Sequence, residues 1–149
     1  MSVQIAITQI KEDSFQLKNE IQPIEDPMQM RFGIDFGFNI NEEKQLFEIK
    51  TLITLNDEKH NEKLLDFKSS MTFLIDGMKE VYQKYDNGTF DFKNQLMEFL
   101  LQTNISTVRG MLVTRLQNTA LNAFYIPIFD VKQMMEQMKN RSNNSVQGQ

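Results

Sequence analysis

The chain has no cysteine and no tryptophan, and only one histidine, three prolines and six glycines in 149 residues. Without cysteine there is no disulfide, no thiol nucleophile and no thiolate-based zinc site. Apolar residues nowhere run for the roughly 18 positions that a membrane-spanning helix needs. Ser2 to Ile10 alternates in polarity, unlike the apolar stretch of a signal peptide. No membrane insertion is therefore expected, and the lack of cysteine fits a cytoplasmic setting. Basic residues are not in excess: 16 Lys and Arg face 20 Asp and Glu, for a net charge of −4, so nucleic acid is not an expected partner. No P-loop, glycine-rich dinucleotide fingerprint, nucleophile elbow or metal-ligand run occurs. No catalytic group, metal or cofactor is assigned. His60 lies in the most charged loop, Asn56 to Glu62, and reads as a solvated loop histidine, since a general base needs an orienting partner and a pocket.

Methionine and phenylalanine are plentiful, at 10 and 12 residues. Their arrangement carries the fold. From Met28 to Ile40 every even position is apolar (Met28, Met30, Phe32, Ile34, Phe36, Phe38, Ile40) and the odd positions are polar or glycine. This period of two predicts a long strand with one apolar face. Val3 to Leu17 predicts an earlier strand whose phase slips around Lys11 to Ser14, as at a bulge. Asn19 to Pro27, with two prolines, is a loop crossing between these strands. Phe47 to Leu55 and Lys63 to Ile75 alternate in turn, so three successive strands form an antiparallel meander. Gly77 to Asn87 is either a short helix or an irregular connection, with a turn at Asp86-Asn87-Gly88.

From Asp91, read as an N-cap, the apolar spacing becomes helical and continues to Leu116, through Phe92, Leu96, Phe99, Leu100, Val108, Met111 and Leu112. Gly110 inside this helix offers close approach to another helix. Asp130 starts a shorter helix with Gln133 three residues on, a variant of the capping box. The length points to one domain, residues 1–139, followed by a disordered polar tail at 140–149. Strands followed by helices make an α+β fold: a four-stranded antiparallel sheet with a long helix and a short C-terminal helix on one face.

Phe124, Tyr125, Ile126, Ile128, Val131, Met134, Met135 and Met138 supply more apolar matter than a connector and short helix need for themselves. On sequence alone, three outcomes are open: burial against the sheet, docking of another subunit, or a groove for another chain. Methionine-rich surfaces adapt to varied partners. Gly33 and Gly37, four apart in a strand, read as sites of bending or close approach.

In layout, residues 3 to about 139 resemble the SecB family of chaperones, which hold unfolded preproteins for export. The resemblance rests on Ile10 to Phe15, on Met28 to Ile40 after a proline-containing loop, and on Phe67 to Ile75. Thr107-Val108-Arg109-Gly110 and the connector Asn122 to Asp130, with Ile126-Pro127-Ile128, also resemble family stretches. The resemblance implies a homotetramer, a dimer of dimers packed through the first helix, that binds unfolded polypeptides without catalysis. It implies client grooves formed by the crossover loop and the second helix, with Met30, Phe32, Ile34, Val131, Met134, Met135 and Met138 at the matching apolar positions. Export members dock the translocase motor SecA on an acidic sheet face; Glu12, Leu64 and Asp66 match that site, while Gln16 stands where an acid is expected. Some relatives instead serve toxin–antitoxin pairs. Outside the family, the alternatives are an assembly protein that uses the same apolar surface between its own subunits, and a small-ligand binder or enzyme.

Overall fold

The alternating stretches form four long strands: β1 (Gln4–Leu17), β2 (Met30–Asn41), β3 (Leu46–Asp57) and β4 (Glu62–Asp76). The computed structural model describes residues 3–147, with the backbone alone at 141–147. The strands pair antiparallel in the order β1-β4-β3-β2. The meander is therefore β2-β3-β4, and β1 lies beside β4, at the far edge from β2. Residues 18–29 must cross three strand spacings, about 14 Å, to join the two edges.

Register explains the burial. Phe32, Leu55 and Leu65 are successive partners, as are Ile34, Ile53 and Phe67, then Phe38, Ile49 and Met71. Cross-strand partners share a face, so the apolar positions of β2, β3 and β4 form continuous rows. In β3 and β4 these positions are buried; in edge strand β2 they are half-buried. β1 carries two register shifts, between Ile7 and Gln9 and between Glu12 and Ser14. The phase slip expected near Lys11 to Ser14 is the second of these bulges.

A short α1 (Met78–Val81) leads into a small hairpin, β5 (Tyr82–Lys84) and β6 (Phe90–Phe92). This hairpin replaces the expected start of the long helix. Asp91 is not an N-cap; it lies in β6, where the rings of Tyr82, Phe90 and Phe92 cluster at 5.8–6.1 Å. Gly88 makes the turn at a φ of +84°, which an L side chain resists. The helix α2 (Leu96–Leu116) begins only after two left-handed residues, Asn94 and Gln95. Its 21 residues span about 32 Å. α3 (Val131–Gln147) starts as expected: the Asp130 Oδ1 accepts the Gln133 N–H at 3.1 Å. It continues past Lys139, through much of the stretch expected to be a disordered tail. Residues 140–147 contain neither proline nor glycine to stop it. Gly148 and Gln149, the end of that stretch, lie outside the described residues, as do Met1 and Ser2.

Two compact units carry these elements, Met1–Glu80 with the large sheet and Val81–Gln149 with the hairpin and helices.

Candidate functional site: apolar surfaces on an edge strand and a helix

Met30, Phe32 and Ile34 occupy alternate positions of β2 and are half-buried. Only one side of this strand has a neighbour in the sheet. The segment before it is well tied. At its start the Lys18 N–H donates to the Leu64 carbonyl at 2.9 Å, and the Lys18 ammonium pairs with Glu62. At its exit Asp26 caps a short 3₁₀ turn, Pro27–Gln29, accepting the Met28 N–H at 2.9 Å. Met28 is therefore in this turn and not in β2, and its side chain is 85% exposed. The fixed φ of Pro27 and the cap explain why the strand begins two residues later than its alternation suggests.

The turn that follows β3 holds this exit. The Asp57 side chain, only 3% exposed, accepts the Gln29 Nε2 at 3.2 Å, the Lys59 N–H at 3.0 Å and the His60 N–H at 3.3 Å. The His60 Nδ1 lies 2.6 Å from its other oxygen. That histidine contact, ahead of the backbone donors, holds the Asp57 carboxyl below its ordinary range despite burial. His60 is thus not simply solvated. It has an oriented partner, but that carboxylate is committed to holding a turn.

In the second unit, α3 presents Met134, Met135 and Met138 half-buried, whereas Val131 is buried. Lys139 on the same helix pairs with Asp91 of β6 at 3.5 Å. The connector before α3 is clamped by Arg109, whose Nε and Nη2 donate to the carbonyls of Ile126 and Pro127 at 3.2 and 3.0 Å. Ile126 is buried, while Tyr125 is exposed and Ile128 is 94% exposed. Met28 and Ile128 are the most exposed large apolar side chains among the described residues, and neither was among the expected binding residues. The apolar excess of the connector was a signal for Ile128; Met28 was hidden by its fit to the strand pattern.

Of the residues matching a motor site, Leu64 and Asp66 share one face of β4, two residues apart, and Glu12 is on the other. Leu64 is buried. Glu12 pairs with Ser69 and Gln16 with Asp66, positions of opposite parity on β4 and hence on opposite faces. Asp66 is also paired with Lys63 at 2.8 Å. The polar face of the sheet mixes signs: a hollow of about 380 Å³ is lined by Asp13, Asp35, Lys50 and Lys68 together with Leu52.

On α2, Phe99 belongs to the outward side and not to the buried stripe. With Gln102, Thr103, Ser106 and Thr107 it lines a shallow hollow of about 550 Å³. The hydroxyls of Thr103, Thr107 and Thr114 donate to the carbonyls of Phe99, Thr103 and Gly110 at 2.9–3.0 Å. The space over Gly110 is open. Among the described residues, no helix is long and apolar enough to cross a membrane, and no cluster of three or more metal-ligating side chains occurs.

No protein-family model and no curated protein matches the chain. Among solved structures, the Mycobacterium tuberculosis Rv1957 SecB-like chaperone, in complex with a ChAD peptide from the Rv1956 HigA1 antitoxin, is similar at a TM-score of 0.51 and 12% identity, over 85% of this chain and 90% of that one. A protein of unknown function from Streptococcus agalactiae is similar at a TM-score of 0.45 and 12% identity, over 87% and 100%. A four-stranded antiparallel sheet followed by helices, together with the first of these likenesses, gives this chain a SecB-like fold.

Proposed function

We propose that this protein is a holdase, a chaperone that binds unfolded polypeptides on apolar surface and catalyses nothing. The observation that carries the reading is the methionine side of α3, left half-open in a folded chain. Met134, Met135 and Met138 offer soft contact that fits many side-chain shapes. Met30, Phe32 and Ile34 on β2 give a second apolar strip. Burial at roughly 25 cal/mol per Å², less ordering costs, holds a client without rigid complementarity. The M. tuberculosis chaperone of similar fold is seen with a peptide, which supports a polypeptide client here.

The protein acts as a homotetramer, a dimer of dimers joined through α2. The outward side of α2 supports this: it presents the exposed Phe99, its threonine hydroxyls are satisfied by its own helix, and Gly110 leaves room for a second copy. A cytoplasmic location belongs to the same proposal. Of the two client classes, a dedicated one, as in toxin–antitoxin systems, is favoured over export. The mixed charge of the polar sheet face and the burial of Leu64 give an acidic-face motor contact such as SecA little to bind.

The test is suppression of aggregation. A chemically denatured protein diluted into buffer should stay in solution with equimolar tetramer present. Unchanged light scattering would count against the holdase and leave an assembly protein as the better reading.

A further inference from the structure

Asp57 closes β3 in the same way that Asn41 closes β2. In both turns the first residue's side-chain oxygen accepts the backbone N–H three residues on, Lys44 to Asn41 at 3.0 Å and His60 to Asp57 at 3.3 Å. In both, the last residue has a positive φ, 56° at Gln45 and 53° at Asn61. Asn41 does this while exposed and uncharged, so the turn itself needs no buried carboxylate. Burying one is costly unless its oxygens are supplied with donors. Asp57 has four, and three of them, the Lys59 N–H, the Gln29 amide and the His60 ring, have no counterpart at Asn41 among the contacts described; of these the Gln29 amide alone comes from outside the turn.

Gln29 is the last residue of the crossover segment and directly precedes Met30. The same turn grips it twice: the Glu58 N–H donates to its carbonyl at 2.8 Å, and its side chain donates to Asp57. The exposed Met28 is its neighbour. We propose that the Gln29–Asp57 contact is a pin that fixes the exit of the crossover segment, and with it the client strip of β2, making Gln29 and Asp57 positioning residues for client capture. This rests on the holdase reading above. A pinned exit keeps Met28 and Met30 ordered before a client arrives, so less entropy is lost on binding.

The experiment uses the full chain, a fluorescein-labelled reduced and carboxymethylated polypeptide followed by anisotropy, and amide exchange at Gln29 and Glu58 followed by NMR. Gln29→Glu sets a carboxylate against Asp57. Near neutral pH it should speed exchange at both amides and weaken capture about tenfold, the scale of one hydrogen bond to a charged group. As the pH is lowered toward about 5, the introduced carboxyl takes up a proton, becomes a donor and should recover much of the lost affinity. Gln29→Ala, which has nothing to titrate and no charge to disturb folding, should be weak at both pH values. Asn41→Ala is the control: it loosens the other turn and should leave capture unchanged. The pin is overturned if exchange is unaltered in both Gln29 variants, or if exchange quickens while capture stays at the parent value. It is also overturned if both variants are weak at every pH, as a merely structural loss would be. A parent protein that captures no polypeptide overturns the holdase reading, and the positioning role with it. A parent that captures client while both variants capture equally well overturns the pin alone.

Discussion

Single residues show where local chemistry decides geometry. A Cβ built on Gly33 would meet the Thr54 Oγ1 at 2.6 Å, so the glycine admits a neighbour's side chain. Gly33→Ala should force Thr54 out of its rotamer and cost about 1 kcal/mol, measured as a shift in urea midpoint. Thr54→Ala in the same chain should remove most of that cost; additive effects would contradict the contact. Asp57 makes a pH prediction. Its carboxyl is held below its ordinary range, so the unfolded chain binds this proton more readily than the folded one. Its contribution to stability is therefore full above the unfolded-state range near 4 and is lost as the pH falls through the lower folded value. Urea midpoints should fall more steeply below pH 4 in the parent than in Asp57→Asn. Parallel acid limbs would show that Asp57 is not coupled to folding. The alternation that named β2 did not reveal the Asp57–Gln29 contact. Those residues are 28 positions apart and meet only because residues 18–29 return the chain to that turn.

At the scale of elements, legibility follows length. Nine to thirteen residues of alternation made β2, β3 and β4 plain before any coordinates, and the crossover was legible from its prolines. The hairpin β5–β6 has three residues per strand, too few for a period to register. Asp91 was then mistaken for a cap because aspartate favours helix starts and turns alike. Phe99 fits a helical stripe in sequence yet faces outward, since position on the wheel says nothing about where partners lie. The cap that does form is Asp130. Asp130→Ala should lose about 1 kcal/mol from α3, seen as faster amide exchange at Gln133 and Met134. Unchanged exchange would mean that the helix is held by its side-chain contacts and not by its start.

For the whole molecule, the fold was readable from the order of strands and helices, but which apolar residues stay open was readable only in part. Met134, Met135 and Met138 are half-buried, while Val131 is buried and belongs to the packing. Hydrophobic character is the same for a core residue and for an exposed one; only the fold separates them. That separation is also why Ile128 and Met28 were not placed among the binding residues. The central claim is that the open methionines hold foreign chain. It is tested most directly by anisotropy of a labelled unfolded polypeptide with the parent and with a Met134→Glu, Met135→Glu variant, the native mass of both being recorded. Capture should weaken about thirtyfold, as expected when two half-buried methionines lose apolar contact, while the native mass stays that of the parent. Unchanged capture, or a loss of capture that comes only with loss of the oligomer, would contradict it.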